Sequence, residues 1–541
     1  MNGKVKLARK ILTPVSKVMV FGFTLAFGVL NVGTALANAN ASVVTSFLGG
    51  GGNNIVYVDD GTVSDSDYYK SEFASVNEVR TSGIGYTQTV MEEGAVLLRN
   101  ENDALPLKST DKVSLFSASS AKPVISGYRE SGKNKDVVSF KDGLESAGIE
   151  INTELYDWYA ASNYGRQSLF GNTGFGNVYN INEAPWDKLP ASKTAAGFNT
   201  AVFVISRIAG EATDVQLRDL GEKNYTANAT FDGKNGNYLV LSNEEEDVLA
   251  HLKEEKGKTF DKIIVIMNTT NQVACDFEDK YGVDALIYSG STGTAGTKAI
   301  GNILAGKVNP SGKLSDTFWK NHYLNPVLTN WGAEKFNATS EPHYNGFGYN
   351  GSTEYSAVVY QEGIYSGYRY TETRYEDNIL GTANNSGYVY NDVVAYPFGY
   401  GISYSDFDYS DMTVTYDAET DDYNVSVKVK NVNGMDGKNS VQLFLQKPYT
   451  EYDKTKGIEK AAVELVDFAK TGVLSVDGEG ETVNFTVARR ELASYDSYGE
   501  RTYILENGNY YFAVGTDAHD AVNNIIAAKG KSGMTDATGK A

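Results

Sequence analysis

Three runs in this chain are apolar or aromatic throughout: Ala201-Val202-Phe203-Val204-Ile205, Ile263-Ile264-Val265-Ile266-Met267 and Ala285-Leu286-Ile287-Tyr288. A strand with one wet face alternates apolar and polar residues, so an unbroken run has to be covered on both sides. Val113-Ser114-Leu115-Phe116 reads as a fourth buried strand. Amphipathic helices are predicted at 140–147, 242–256 and 294–304. In the second of these, Ser242 and Glu245 form a capping box, Val248, Leu249 and Leu252 make the apolar stripe, and Gly257 closes the end. Gly306 and Pro310 stop the third. Residues 82–107 read as a helix followed by an extended segment. Strands and helices in this alternation predict an α/β fold, a mainly parallel sheet sandwiched by helices.

Beyond Tyr404 the period changes to two. Tyr423, Val425, Val427 and Val429 alternate with polar residues, and 441–445 and 483–487 follow as further strands between Gly, Asn and Asp turns. That pattern predicts a small antiparallel β-sandwich. The chain is therefore divided into a targeting segment (1–40), a linker (41–81), an α/β sandwich (82–345), a Tyr- and Gly-rich connector (346–404), a β-sandwich (405–527) and a polar, frayed tail (528–541). At 541 residues, two or three domains are expected.

Lys4, Lys6, Arg9 and Lys10 precede an apolar stretch at 18–30, and Ala35-Leu36-Ala37 supplies a small-x-small cleavage pattern. This reads as a signal peptide, with an uncleaved anchor helix as the alternative; either places the rest outside the cytoplasm. A net charge of −20 opposes nucleic acid and anionic lipid as partners. The single Cys275 excludes an internal disulfide and reads as a small buried hydrophobe. His251, His322, His343 and His519 are scattered without metal-ligand spacing, so no metal and no cofactor are expected.

Two motifs bracket the connector: Glu362-Gly363-Ile364-Tyr365-Ser366-Gly367-Tyr368-Arg369-Tyr370 and Tyr396-Pro397-Phe398-Gly399-Tyr400-Gly401-Ile402-Ser403-Tyr404. With Glu93-Gly94-Ala95-Val96-Leu97-Leu98-Arg99-Asn100 upstream, they resemble family 3 glycoside hydrolases, the β-glucosidases and their relatives. The resemblance covers about residues 60 to 530 and implies the family's second, α/β-sandwich domain followed by a fibronectin type III-like module.

It also points to chemistry. Ser206-Arg207-Ile208-Ala209-Gly210-Glu211-Ala212-Thr213-Asp214 follows the strand at 201–205, and open α/β sheets bind ligands beyond the carboxyl ends of their strands. The segment resembles the family's acid/base loop, which puts Glu211 in the place of the general acid/base and Asp214 in that of a substrate-binding carboxylate. Ala212 and Val215 stand where the family has Gly and Arg, restricting the backbone and removing a donor. Ser126-Gly127-Tyr128-Arg129-Glu130 reads as a loop near the same end, and the Gly290–Gly296 turn lacks the ending of a phosphate cradle.

Retaining glycosidases use two carboxylates, a nucleophile and an acid/base, about 5–5.5 Å apart. In the family the nucleophilic Asp lies on a (β/α)₈ barrel of about 250 residues, and no uncommitted stretch of that length, nor the family's nucleophile motif, is found here. The resemblance therefore implies a β-linked glucoside or oligosaccharide substrate and a barrel on a separate or downstream polypeptide. Little or no turnover is expected from the chain alone. The alternative is a carbohydrate-binding or surface-interaction protein without catalysis.

Overall fold

The computed structural model describes residues 2–39, 71–126, 129–130, 137–165, 167–168, 179–180, 182–207, 238–327, 335–337, 354–356, 360–382 and 387–541. They form two units, Met1–Ala74 and Ser75–Ala541. The first contains helix α1 (Asn2–Ala39) with Pro14 inside it. Its stretch Ser16–Thr34 has a mean hydropathy of 1.5, and at 1.5 Å per residue it is about 28 Å long, enough to cross a bilayer. Thr24, Asn31 and Thr34 each donate a hydrogen bond to the carbonyl four residues back, so their polar groups are satisfied within the helix.

In the second unit, α2 (Val76–Gly94) leads into β1 (Val96–Asn100), followed by β2 (Lys112–Phe116), α3 (Phe140–Ser146), β3 (Glu150–Ile151), α4 (Thr153–Ala161), β4 (Thr200–Arg207), α5 (Asn243–Glu255), β5 (Lys262–Thr269), β6 (Ala285–Tyr288) and α6 (Gly296–Leu304). The six strands make one sheet in the order β1-β6-β5-β4-β2-β3. All neighbours are parallel except β1, which runs antiparallel to β6. Every residue of β4 is buried, as its unbroken apolar run requires. Phe203 and Ile205 enter one core with Val248, Leu249 and Leu252 of α5; Val202 and Val204 enter the other with Phe140 of α3 and Ile300 of α6. Each such side chain contributes roughly 1.5–3 kcal/mol on burial. The capping box of α5 forms as read, although α5 ends at Glu255 and Gly257 (φ +78°) serves the turn after it.

The connector holds an element the sequence did not announce, α7 (Tyr368–Leu380). Its last part runs along the sheet edge: the Ile402 N–H donates to the Leu97 carbonyl of β1 at 2.9 Å, and the Tyr404 hydroxyl donates to the Ile303 carbonyl at 3.0 Å. Gly399 sits at φ +80°, and its carbonyl accepts from Gln442 Nε2 at 2.9 Å. A Cβ at Gly401 would overlap the Gly312 carbonyl. The glycines of the motif thus permit close backbone approach, while Tyr368 and Phe398 stack with ring centroids 4.4 Å apart.

The β-sandwich comprises β7 (Asp406–Asp417), β8 (Asp422–Asn433), β9 (Ser440–Gln446), β10 (Glu464–Lys470), β11 (Glu481–Ala488) and β12 (Tyr511–Gly515). Its sheets, β7-β8-β11 and β10-β9-β12, enclose Val425, Val427, Val429, Leu443, Leu445, Phe485 and Val487. In β9 both faces are covered, because Phe444 points the other way into a cluster with α7 and α8 (Ala518–Ala528). The tail is not frayed, contrary to expectation. Thr535 N–H donates to the Tyr375 hydroxyl at 2.8 Å, and Asn391 Nδ2 donates to the Ala537 carbonyl at 2.7 Å.

His519, on α8, is buried against Glu372 of α7, with Nδ1 2.8 Å from its carboxylate and the ring 4.0 Å from that of Tyr390. Burial opposes the charged ring, but the charge and hydrogen bond of Glu372, aided by Asp517 and the Thr535 carbonyl, raise its pKa above 6.5. This cluster ties the connector, the sandwich and the tail together.

Candidate active site

The carboxyl ends of β2, β4 and β5 meet in one polar layer. Ser206, last but one in β4, pairs with Asn268 of β5 and donates to Ser119 Oγ, just past β2, at 2.7 Å. Asn268 is fully buried; it accepts from Val124 N–H at 2.6 Å and donates to the Val124 and Gly290 carbonyls at 3.0 and 2.7 Å. Arg129–Glu130 folds back on Val124–Ser126 as a two-stranded hairpin beside this layer.

Arg207 closes β4 and is the most constrained group there. Its guanidinium is wholly buried, and all five N–H donors are used. Nη1 and Nη2 grip Glu245 of α5 in a fork at 3.0 and 2.8 Å. Nη1 also donates to the Ser206 carbonyl at 2.9 Å, while Nε and Nη2 donate to the carbonyls of Tyr238 and Val240, both at 2.6 Å. Glu245 additionally accepts from Ser242 N–H at 2.8 Å, so one carboxylate serves as helix cap and counter-ion. The clamp joins Arg207 directly to the Tyr238 carbonyl, 31 positions along the chain.

A second buried carboxyl lies nearby. Glu183 accepts from the Ser117 hydroxyl at 2.7 Å and from the Ala118 and Ala184 amides at 3.0 and 2.9 Å. Burial is the main cause that lifts its pKa to about 7, with the charge of Glu245 adding to the effect. Ser117 adopts φ +79° at the strand-to-helix turn, and the Glu183 hydrogen bonds hold that strained backbone. Glu183 is 3% exposed, and its hydrogen bonds support the turn after β2.

Glu211 and Asp214, with Ala212 and Val215, lie outside the described residues. The described residues bring together instead the groups that frame them. The sequence named Arg207 and Glu245 without linking them, since they are 38 positions apart. The available signal was an arginine two positions after a fully apolar run, because a buried guanidinium requires a carboxylate. Glu183 carried no such signal. Among the described residues no group of three or more His, Cys, Asp or Glu is arranged to hold a metal ion. Cys275 is 2% exposed, and burial raises its thiol pKa, as suits a packing residue.

Comparison with known proteins gives this layer a lineage. Residues 95–368 match the glycosyl hydrolase family 3 C-terminal domain, and residues 439–518 match the fibronectin type III-like domain. The chain is 29% identical over 439 residues to a beta-glucosidase of Ruminococcus albus, covering 80% of this chain and 39% of that protein. It is 30% identical over 468 residues to beta-glucosidase A of Butyrivibrio fibrisolvens, covering 79% of this chain and 49% of that one. Beta-glucosidase 3B from Thermotoga neapolitana, solved in complex with glucose, superposes with a TM-score of 0.61 at 26% identity, over 82% of this chain and 53% of that one. The chain thus spans about half or less of the length of these curated relatives. The match over the α/β sheet and its polar layer places the chain in glycosyl hydrolase family 3, to which it belongs through the family's C-terminal domain.

Proposed function

We propose that the chain is part of an exported β-glucosidase-type glycoside hydrolase and lacks the nucleophile-bearing barrel, with Glu211 as the general acid/base and Asp214 binding substrate. The observation that carries this reading is the Arg207 clamp. It fixes Arg207, four positions before Glu211 in the sequence, at the carboxyl end of β4, and open α/β sheets present their ligands beyond that end. Glu211 would protonate the departing glycosidic oxygen while a second carboxylate attacks the anomeric carbon, then activate the water that releases the sugar. That second carboxylate comes from a (β/α)₈ barrel outside the described residues, and the substrate is a β-linked glucoside or oligosaccharide. No cofactor takes part. The apolar helix α1 supports export, as signal or anchor. The division into an α/β domain (82–345), connector (346–404) and β-sandwich (405–527) belongs to the same proposal.

The test is hydrolysis of an aryl β-glucoside by the purified chain, alone and mixed with a family 3 barrel expressed separately. Turnover is expected only in the mixture, and Glu211→Gln should abolish most of it. Robust hydrolysis by the chain alone, or a mixture indifferent to Glu211→Gln, contradicts the proposal.

A further inference from the structure

The β-sandwich carries a group of exposed tyrosines remote in sequence from the polar layer. Tyr495 and Tyr503 face each other across a short hairpin, their rings 5.3 Å apart and inclined at 71°. Tyr498 stands at its tip and Tyr449 on the adjoining segment; the four are 52%, 71%, 76% and 58% exposed, in the order named. Two contacts bring the adjoining segment alongside: Lys447 Nζ donates to the Ala493 carbonyl at 2.8 Å, and the Tyr452 hydroxyl donates to Asp496 Oδ2 at 2.7 Å.

The backbone of the loop that carries Tyr498 is fixed by hydrogen bonds. Asp496 is fully buried, and its carboxylate accepts from the amides of Tyr498, Gly499 and Glu500 at 3.1, 2.7 and 2.8 Å. The Glu500 amide first, with Gly499, Tyr452 and Tyr498, holds that carboxyl down at about 2, so the frame persists at any working pH. A fixed backbone reduces the freedom lost when a ligand stacks on the rings it carries.

We infer that Tyr449, Tyr495, Tyr498 and Tyr503 form a binding platform for a neutral β-glucan chain, separate from the Glu211 site. Aromatic faces stack on the C–H faces of sugar rings, and tyrosine adds a hydroxyl for the ligand's polar rim. The side chains between the rings, Ser497, Glu500, Arg501 and Thr502, are polar and exposed and can hydrogen-bond a polyhydroxylated ligand. A chain of net charge −20 repels polyanions, and a neutral glucan is indifferent to that charge. The β-linkage rests on the proposed glycosidase reading; the location rests on the tyrosines.

The test is affinity electrophoresis of the full chain in gels containing hydroxyethylcellulose, a neutral β-1,4-glucan, with dextran gels as the control. Retardation by the β-glucan alone is expected, and Tyr498→Ala and Tyr503→Ala should each weaken it roughly tenfold, whereas Tyr503→Phe, which keeps the ring and loses only the hydroxyl, should weaken it less. Retardation is read without turnover, so a failed glycosidase assay leaves this result standing. Absence of retardation, or equal retardation of both alanine variants, overturns the inference. So does a loss of self-association in those variants without change in the gel.

Discussion

Replacing Arg207 with methionine tests whether the clamp holds the carboxyl end of β4. The substitution keeps the apolar stem but removes a guanidinium with five hydrogen bonds. It leaves Glu245, 1% exposed, as an uncompensated buried charge. Breaking a buried ion pair from one side costs about 3–5 kcal/mol. The stranded carbonyls of Tyr238 and Val240 add to that, so about 4 kcal/mol is a reasonable floor. With a urea dependence near 3 kcal/mol per M for a domain of this size, the unfolding midpoint should fall by about 1.3 M. Arg207→Met/Glu245→Met should recover about 2 kcal/mol relative to the sum of the single changes, because the second substitution removes the unpaired charge. Urea titration followed by far-UV circular dichroism measures all three. A cost below about 1 kcal/mol for Arg207→Met, or strict additivity in the double variant, would refute the clamp.

Other outcomes follow from the buried titrating groups and the seam. Glu183 has a folded pKa of about 7 against an ordinary 4.5, so the folded state holds a proton that the unfolded chain has released. Stability should therefore fall as pH rises from 4.5 to about 7, by on the order of 3 kcal/mol, and Glu183→Gln should flatten that slope in urea midpoints measured across the range. For His519 the folded pKa is raised above 6.5, so its contribution is full below that value and is lost as pH rises through the folded one. Destabilisation by His519→Gln should accordingly be larger at pH 6 than at pH 9; an equal loss at both would show the Glu372 pair to be uncharged. Gly401→Ala should lower the melting temperature by several degrees, because its Cβ would overlap the Gly312 carbonyl and push the connector off β1.

The sheet was legible because its strands speak locally. The runs in β4, β5 and β6 admit no wet face, and the Ser242–Glu245 box marks the start of α5 within a residue. Helix α7 was silent for a physical reason: its buried positions are Thr371, Glu372 and Tyr375, so no aliphatic stripe announces it. Those residues face inward because His519, Tyr390 and the tail supply polar partners from far along the chain. Glu183 was invisible likewise, since its main donor, Ser117, is 66 positions away. In β9 the sequence showed a strand, while the second covered face followed only from Phe444 meeting the connector. Glu211 and Asp214 were legible as motif positions alone, and the framing by Arg207 emerged only from the fold.

The central claim is that Glu211 acts as the acid/base of a family 3 glycosidase completed by a barrel. It is tested most directly by the leaving-group dependence of Glu211→Gln in the mixture of chain and barrel. General acid catalysis contributes about 10²–10⁴-fold when the departing oxygen needs a proton. The variant should therefore lose at least about a hundredfold on cellobiose and stay close to the parent in forming the glycosyl-enzyme from 2,4-dinitrophenyl β-glucoside, whose leaving group needs no proton. Equal rates of parent and variant on cellobiose would contradict the claim.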